Sequence, residues 1–159
     1  MLMTLLTTYH DARRDEGVAR LRRLLALRAL AGTGMSQRQI ADALGVSQPA
    51  VSQQLRSARG LDAVDPEVLL EAAGPVIRAL AAERGFSRLA VFGSLARHRA
   101  TRDSDIDLLV EAPEGTSTFG FIRFQRLLEN VLGRKVDLVS YGVLKPGLDD
   151  DIRREAVPV

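Results

Sequence analysis

The sequence predicts an α+β fold in two parts, an all-helical segment over residues 1–62 and a mixed segment over residues 63–159. Apolar residues recur at three- and four-residue spacing, between capping residues, as far as Arg84. Beyond it, the short apolar runs Leu89–Phe92, Ile106–Val110 and Val136–Val139 read as strands, and Phe121–Leu132 between the last two has helical spacing. The charge changes as well. Residues 1–60 carry nine Arg against four acids, whereas residues 61–159 carry thirteen Arg plus Lys against sixteen acids. A positive first part beside a mildly acidic second part suits a module that faces a polyanion, joined to one with a different task.

Taken in order, Val18, Leu21, Leu24, Leu25, Leu27 and Leu30 predict an amphipathic helix over Asp11–Ala31, stopped near Gly32 and Gly34. Its apolar face serves either as the first core helix of the N-terminal module or as a contact between two copies. Ser36, with Gln39 three residues on, makes a capping-box start for a second helix that runs to Leu44, and Gly45 turns the chain. Ser47 caps a third helix with Pro49 in its first turn, ending at about Ala58. Gly60–Asp65 is the expected linker. Asp65-Pro66 then opens a helix through Arg84 that Gly74-Pro75 is expected to interrupt.

Composition closes several routes. Without cysteine there is neither a disulfide framework nor a thiolate zinc site, and a reducing cytoplasm is the expected home. His10 and His98 are too few for a histidine-rich metal site. Met1–Tyr9 is mildly apolar but lacks a basic start, so a secretory signal is not expected; no uncharged run approaches a membrane span, and no membrane partner is expected.

The segment Ser36–Arg56, SQRQIADALGVSQPAVSQQLR, has the spacing that two crossed helices need. Ala41 is small where the helices press together, Gly45 suits a positive backbone angle, and Ile40, Leu44, Val46, Val51 and Leu55 are the expected shared core. In such a unit the first turns of the last helix enter the DNA major groove, so Ser47, Gln48, Ser52 and Gln53 are the expected base-edge residues. Ser47, Arg38 and Arg56 are placed to meet phosphates. The segment resembles bacterial helix-turn-helix transcription regulators of the phage-repressor type. That resemblance implies a homodimer, because such modules read paired half-sites.

The other chemistry lies in Leu89–Glu111, LAVFGSLARHRATRDSDIDLLVE. A strand ends at Phe92, Gly93-Ser94 follow, and a helix is expected from Leu95, so that the amides of the turn and the serine hydroxyl cradle a phosphate. Asp105 and Asp107 alternate with Ile106, Leu108 and Val110, which puts both carboxylates on one strand face. Two like charges there favour a cation, and hard oxygen ligands suit Mg²⁺. Asp137, in mid-strand between apolar neighbours, is expected to face the same metal, because burying a lone charge is costly. Three aspartates, two metals and a phosphate-holding turn make a site for in-line nucleotidyl transfer.

These residues resemble the polymerase-β-type nucleotidyltransferases, whose signature is Gly-Ser, about ten residues, Asp-x-Asp and a later third Asp. The nearest likeness is to the minimal nucleotidyltransferase group, over residues 66–159 and including the tail Arg153–Val159. It implies a short mixed sheet flanked by helices, two Mg²⁺ ions, and ATP or another nucleoside triphosphate as donor. By the same likeness Asp105 and Asp107 ligate both metals, Asp137 ligates the catalytic one and helps activate the attacking hydroxyl, and Gly93 and Ser94 hold the outgoing phosphates. The chain departs at His98, where the family often carries glycine. Members of the group often serve as antitoxins beside a helical toxin of the HEPN family, and some transfer AMP to a tyrosine of that partner. The likeness therefore implies an antitoxin that modifies its toxin and binds its own promoter. Two alternatives remain: a transcription regulator whose transferase-like domain senses a nucleotide or partner without turnover, and a free-standing enzyme acting on a small molecule, for which the C-terminal part leaves little room.

Overall fold

The computed structural model describes residues 1–57 and 60–159. Its helices are α1 (Leu2–Gly32), α2 (Gln37–Leu44), α3 (Gln48–Arg56), α4 (Pro66–Glu83), α5 (Gly93–Ala96), α6 (Thr118–Leu132) and α7 (Asp150–Glu155); its strands are β1 (Ser87–Phe92), β2 (Ile106–Glu111), β3 (Val136–Ser140) and β4 (Val157–Pro158). The expected end of the third helix at Ala58 lies outside the described residues. The α+β reading holds: the helical N-terminal part is followed by one mixed sheet, ordered β3-β2-β1-β4. Strand β2 runs antiparallel to β1 and parallel to β3, and α6 makes the crossover that a parallel pair requires. No helix among the described residues is long and apolar enough to cross a membrane.

Alternation along the strands creates the two faces of the sheet. Leu89, Val91, Ile106, Leu108, Val110, Val136 and Leu138 enter the main core beneath α1, α4 and α6. Ala90, Phe92 and Leu109 turn to the other face, where Leu144, Tyr141, Ile152 and Ala156 cover only part of it. The open end of that face is where Asp107 and Asp137 stand.

Helix α1 is longer than the spacing predicts. It starts at Leu2 and spans about 46 Å at 1.5 Å per residue. Val18, Leu25 and Ala29 enter the main core, whereas Leu27 packs with Ile40, Ala41 and Val51 of the helix-turn-helix. One helix thus supplies both modules. Gly32 permits the close approach to α6, since a Cβ there would stand 2.8 Å from Leu127.

Gly74-Pro75 does not interrupt α4, contrary to expectation. Proline removes the amide that would bond the Glu71 carbonyl. The Arg22 side chain of α1 replaces it, donating from Nη2 to Glu71 O at 3.1 Å and from Nε to Ala72 O at 2.9 Å. The expected linker is likewise anchored. Leu61–Ala63 form a 3₁₀ turn with Leu61 buried, and the buried Arg134 guanidinium donates to the carbonyls of Asp62, Val64 and Arg102.

The helix-turn-helix core is narrower than the sequence suggests. Ser36 and Gln39 make the reciprocal capping box, and Gly45 takes φ 67° in the turn. Ile40 and Val51 are fully buried, but Leu44 and Val46 are 52% and 44% exposed. Leu27, Leu30, Ala31 and Met35 close this core from the α1 side together with Leu55, and neither Leu44 nor Val46 takes part in it.

Candidate active site

Register brings the predicted carboxylates together. Phe92 pairs with Asp107 across β1–β2, and Asp107 pairs with Asp137 across β2–β3. Gly93, directly after Phe92, therefore lies beside Asp107, with Asp137 on the next strand. Asp105 precedes β2 by one residue and is exposed; a turn in which Thr101 N donates to Ser104 Oγ at 2.8 Å leads into it. Asp137 departs from the expectation of a buried charge. It is exposed, because β3 is an edge strand facing the uncovered end of the sheet, so burial exacts no charge penalty from it.

Gly93 is buried, has φ +71°, and leaves no room for a side chain. A Cβ built there would stand 2.1 Å from Asp107 Oδ2. The turn and the half-buried carboxylate are thus in direct contact. Asp107 feels its crowding: desolvation first, then repulsion from Asp137 and Asp105, push it up from 3.8 to about 6, against the pull of Arg97. The Ser94 hydroxyl makes no hydrogen bond among the described residues. The expected helix from Leu95 begins two residues earlier, at Gly93.

Two residues at this site carry no role in the sequence reading. Glu155, on α7, accepts the Gly93 N–H at 3.0 Å through Oε1 and pairs through Oε2 with Arg97 Nη1 at 2.9 Å. The Gly93 amide, expected to hold phosphate, is thus engaged by a carboxylate. No helical periodicity marks Glu155, because α7 has six residues and the chain is extended from Ala156 onward.

Among the described residues, no three acidic or histidine side chains are gathered into a ready-made cation cage. The donor set nonetheless suits a hard divalent ion, since it is all carboxylate oxygen, and burial together with repulsion from Asp137 and Asp105 already disfavours ionisation at Asp107. Magnesium keeps several waters and bridges substrate phosphates, so it needs few protein ligands in place beforehand.

His98 stands where the resemblance leads one to expect glycine. It takes φ 56°, in the left-handed region that glycine favours, and its Nδ1 stands 3.0 Å from Glu67 Oε1. The turn shape is kept by a residue that pays backbone strain and gains a partner on α4.

The residues expected to meet DNA lie together around α3. Ser47, Gln48, Gln53, Arg56 and Arg38 are exposed and Ser52 is partly so. Ser47 Oγ caps α3 by accepting from Ala50 N at 3.3 Å, Gln48 Nε2 donates to Gln37 on α2 at 2.7 Å, and Arg56 Nη2 donates to Ser52 at 2.9 Å.

A nucleotidyltransferase domain model matches residues 76–158, and a homeodomain-like domain model matches residues 18–65. A candidate protein adenylyltransferase of Methanocaldococcus jannaschii, MJ0435, is 44% identical over 77 residues, which cover 48% of this chain and 83% of that protein. Protein adenylyltransferase MntA of Thermococcus cleftensis is 43% identical over 75 residues, 47% of this chain and 76% of that one. A solved structure of a candidate minimal nucleotidyltransferase matches with TM-score 0.54 and 41% identity, covering 58% of this chain and 95% of its own.

Proposed function

The chain belongs to the nucleotidyltransferase domain family, with a homeodomain-like helix-turn-helix at its N-terminal side, and from that membership we propose a DNA-binding protein adenylyltransferase: an antitoxin that moves AMP from ATP to a helical HEPN-family toxin and binds its own promoter. The observation that carries the enzymatic half is the strand register, which sets Asp107 beside Asp137 with Gly93 against the Asp107 carboxylate. Similarity to protein adenylyltransferases supports a protein hydroxyl as acceptor.

In this reading Asp105 and Asp107 would hold two Mg²⁺ ions, and Asp137 would hold the catalytic one and help activate the attacking hydroxyl. Bound magnesium supplies charge neutralisation along the phosphates. The chain itself contributes orientation: Ser94 and the Gly93 turn hold the departing phosphates, and the rigid β2–β3 pair keeps two carboxylates on one face. To test it, the protein is incubated with ATP, Mg²⁺ and the product of the adjacent gene, and the partner is weighed by mass spectrometry. Added AMP that disappears with Asp105→Ala plus Asp107→Ala is the expected result; ATP binding with no transfer to any partner would replace the enzyme by a sensor.

On the DNA side, Ser47, Gln48, Ser52 and Gln53 would read base edges while Arg38 and Arg56 meet phosphates. A homodimer would present two such helices, and α1 supports one. Residues 1–10 hold no Asp, Glu, Lys or Arg, and Leu2, Leu5, Leu6 and Tyr9 make a stripe that is 55–79% exposed. Gln48→Ala and Gln53→Ala are each expected to weaken binding to the protein's own promoter by roughly tenfold, and binding to random DNA far less. Titration to saturation should give two chains per operator. Equal losses on both DNAs would show that the base-reading side lies elsewhere.

A further inference from the structure

We propose that Glu155 is a positioning residue of the nucleotide site, through which the C-terminal segment sets the geometry of the Gly93–Ser94 turn and of Arg97. The proposal rests on the nucleotidyl-transfer reading, and one carboxylate shared by two donors carries it. Glu155 Oε1 accepts from Gly93 N at 3.0 Å and Oε2 from Arg97 Nη1 at 2.9 Å. The first and fifth residues of a tight turn are thereby held by a single side chain from a distant part of the chain. Charge-assisted bonds of this kind are short and directional, so they set orientation as well as energy.

The anchor itself is clamped on both sides. Before it, Ile152 packs against the cluster of Ala90, Phe92, Leu109 and Leu144; immediately after it, Ala156 joins the same cluster and β4 pairs Val157 with Val91 and Pro158 with Ala90. The Glu155 side chain is only 22% exposed, against 50% for Arg97. Arg97 is a long cation whose rotamers would otherwise be free, and restraining it carries an entropic cost that the carboxylate offsets.

A fourth acid beside Asp105, Asp107 and Asp137 is electrostatically adverse. Its retention in the fold calls for a compensating task, and the geometry points to one. Gly93 stands so close to Asp107 that a Cβ would meet Oδ2 at 2.1 Å, so fixing the Gly93 amide also fixes the turn against that carboxylate. Glu155 thus aligns the phosphate-holding turn with the metal-ligating strand without touching either substrate or metal.

The test uses the full chain with Glu155→Ala and Glu155→Gln, three readouts and Mg·ATP as probe. Exchange of the Gly93 amide is followed by NMR without nucleotide, Mg·ATP affinity by calorimetry, and folding by thermal melting. In Glu155→Ala, Gly93 protection and Mg·ATP affinity should each fall about tenfold, the scale of a lost charge-assisted bond, while melting moves by only a few degrees. Glu155→Gln keeps an acceptor for the Gly93 amide, and should restore its protection and lose only about threefold in affinity. Affinity equal to or tighter than wild type in Glu155→Ala overturns the proposal, since the carboxylate would then be a placeholder that nucleotide displaces. If Glu155→Ala does not fold, the Gln variant decides by the same criterion: weaker binding supports, equal or tighter binding overturns. Wild-type protein that binds no Mg·ATP sinks the transferase reading instead, and Gly93 exchange alone then judges Glu155.

Discussion

Gly93→Ala is expected to cut nucleotidyl transfer by at least about a hundredfold, although it adds a single methyl group. Two separate costs meet at this position. The backbone sits at φ +71°, where an L-residue costs roughly 1–2 kcal/mol. The added Cβ would also stand 2.1 Å from Asp107 Oδ2, so the carboxylate or the turn must move. Gly115→Ala separates the two effects. Its φ is +81°, but nothing lies within 4 Å of the new Cβ, so it carries the strain without the collision. Both variants should lose similar stability from the backbone; only Gly93→Ala should lose transfer, because a displacement of about 1 Å at an aligned site suffices to cost two orders of magnitude in rate. Measuring AMP incorporation and urea unfolding on both gives the comparison. Equal activity in the two variants would mean that the position of Asp107 against the turn is irrelevant to the chemistry.

The contrast between those two glycines marks what was legible in the sequence. Local patterns were: the capping box at Ser36, the strand before Gly93, the strand around Asp107 and the helix before β3 are each written within about fifteen residues. Features settled by a distant partner were not. Pro75 reads as a helix break until Arg22, fifty-three positions earlier, supplies the missing donor. Leu44 and Val46 read as core until α1 proves to close the helix-turn-helix from the other side. Strand β4 has only two residues, one of them proline, and exists because the edge of β1 is free to pair. Asp137 reads as a buried charge because its neighbours are apolar, and only the strand order reveals that it stands at an edge. Glu155 is the same lesson at the site itself, since a carboxylate that acts on a residue sixty-two positions away leaves no periodicity to find.

Crowding at Asp107 leads to an expectation that runs opposite to most core substitutions: Asp107→Asn should abolish transfer and make the protein more stable at pH 7. The folded-state value lies near 6, raised from 3.8 first by desolvation and then by Asp137 and Asp105. Between those two values the folded chain holds a proton that the unfolded chain has released. Stability therefore falls as pH rises from about 4 to 6 and stays lower above it. A shift of this size corresponds to about 3 kcal/mol for a fully buried group; for a carboxylate still in touch with solvent, screening reduces it to about 1–2 kcal/mol. Asparagine keeps the shape and removes the charge, so thermal melting should rise by roughly 3–6 °C at pH 7 for a chain of this size. The two proteins should converge only below about pH 3, where Asp107 is neutral in both states. Millimolar Mg²⁺ should narrow the gap by stabilising ionised Asp107 in the wild type alone. An Asn variant no more stable than wild type at pH 7 would show that the three carboxylates are not crowded, and would remove the electrostatic reason for a cation between them. The site thus holds in the folded state a repulsion that only its ligand relieves, which is the trade of stability for function expected where acids are gathered for catalysis.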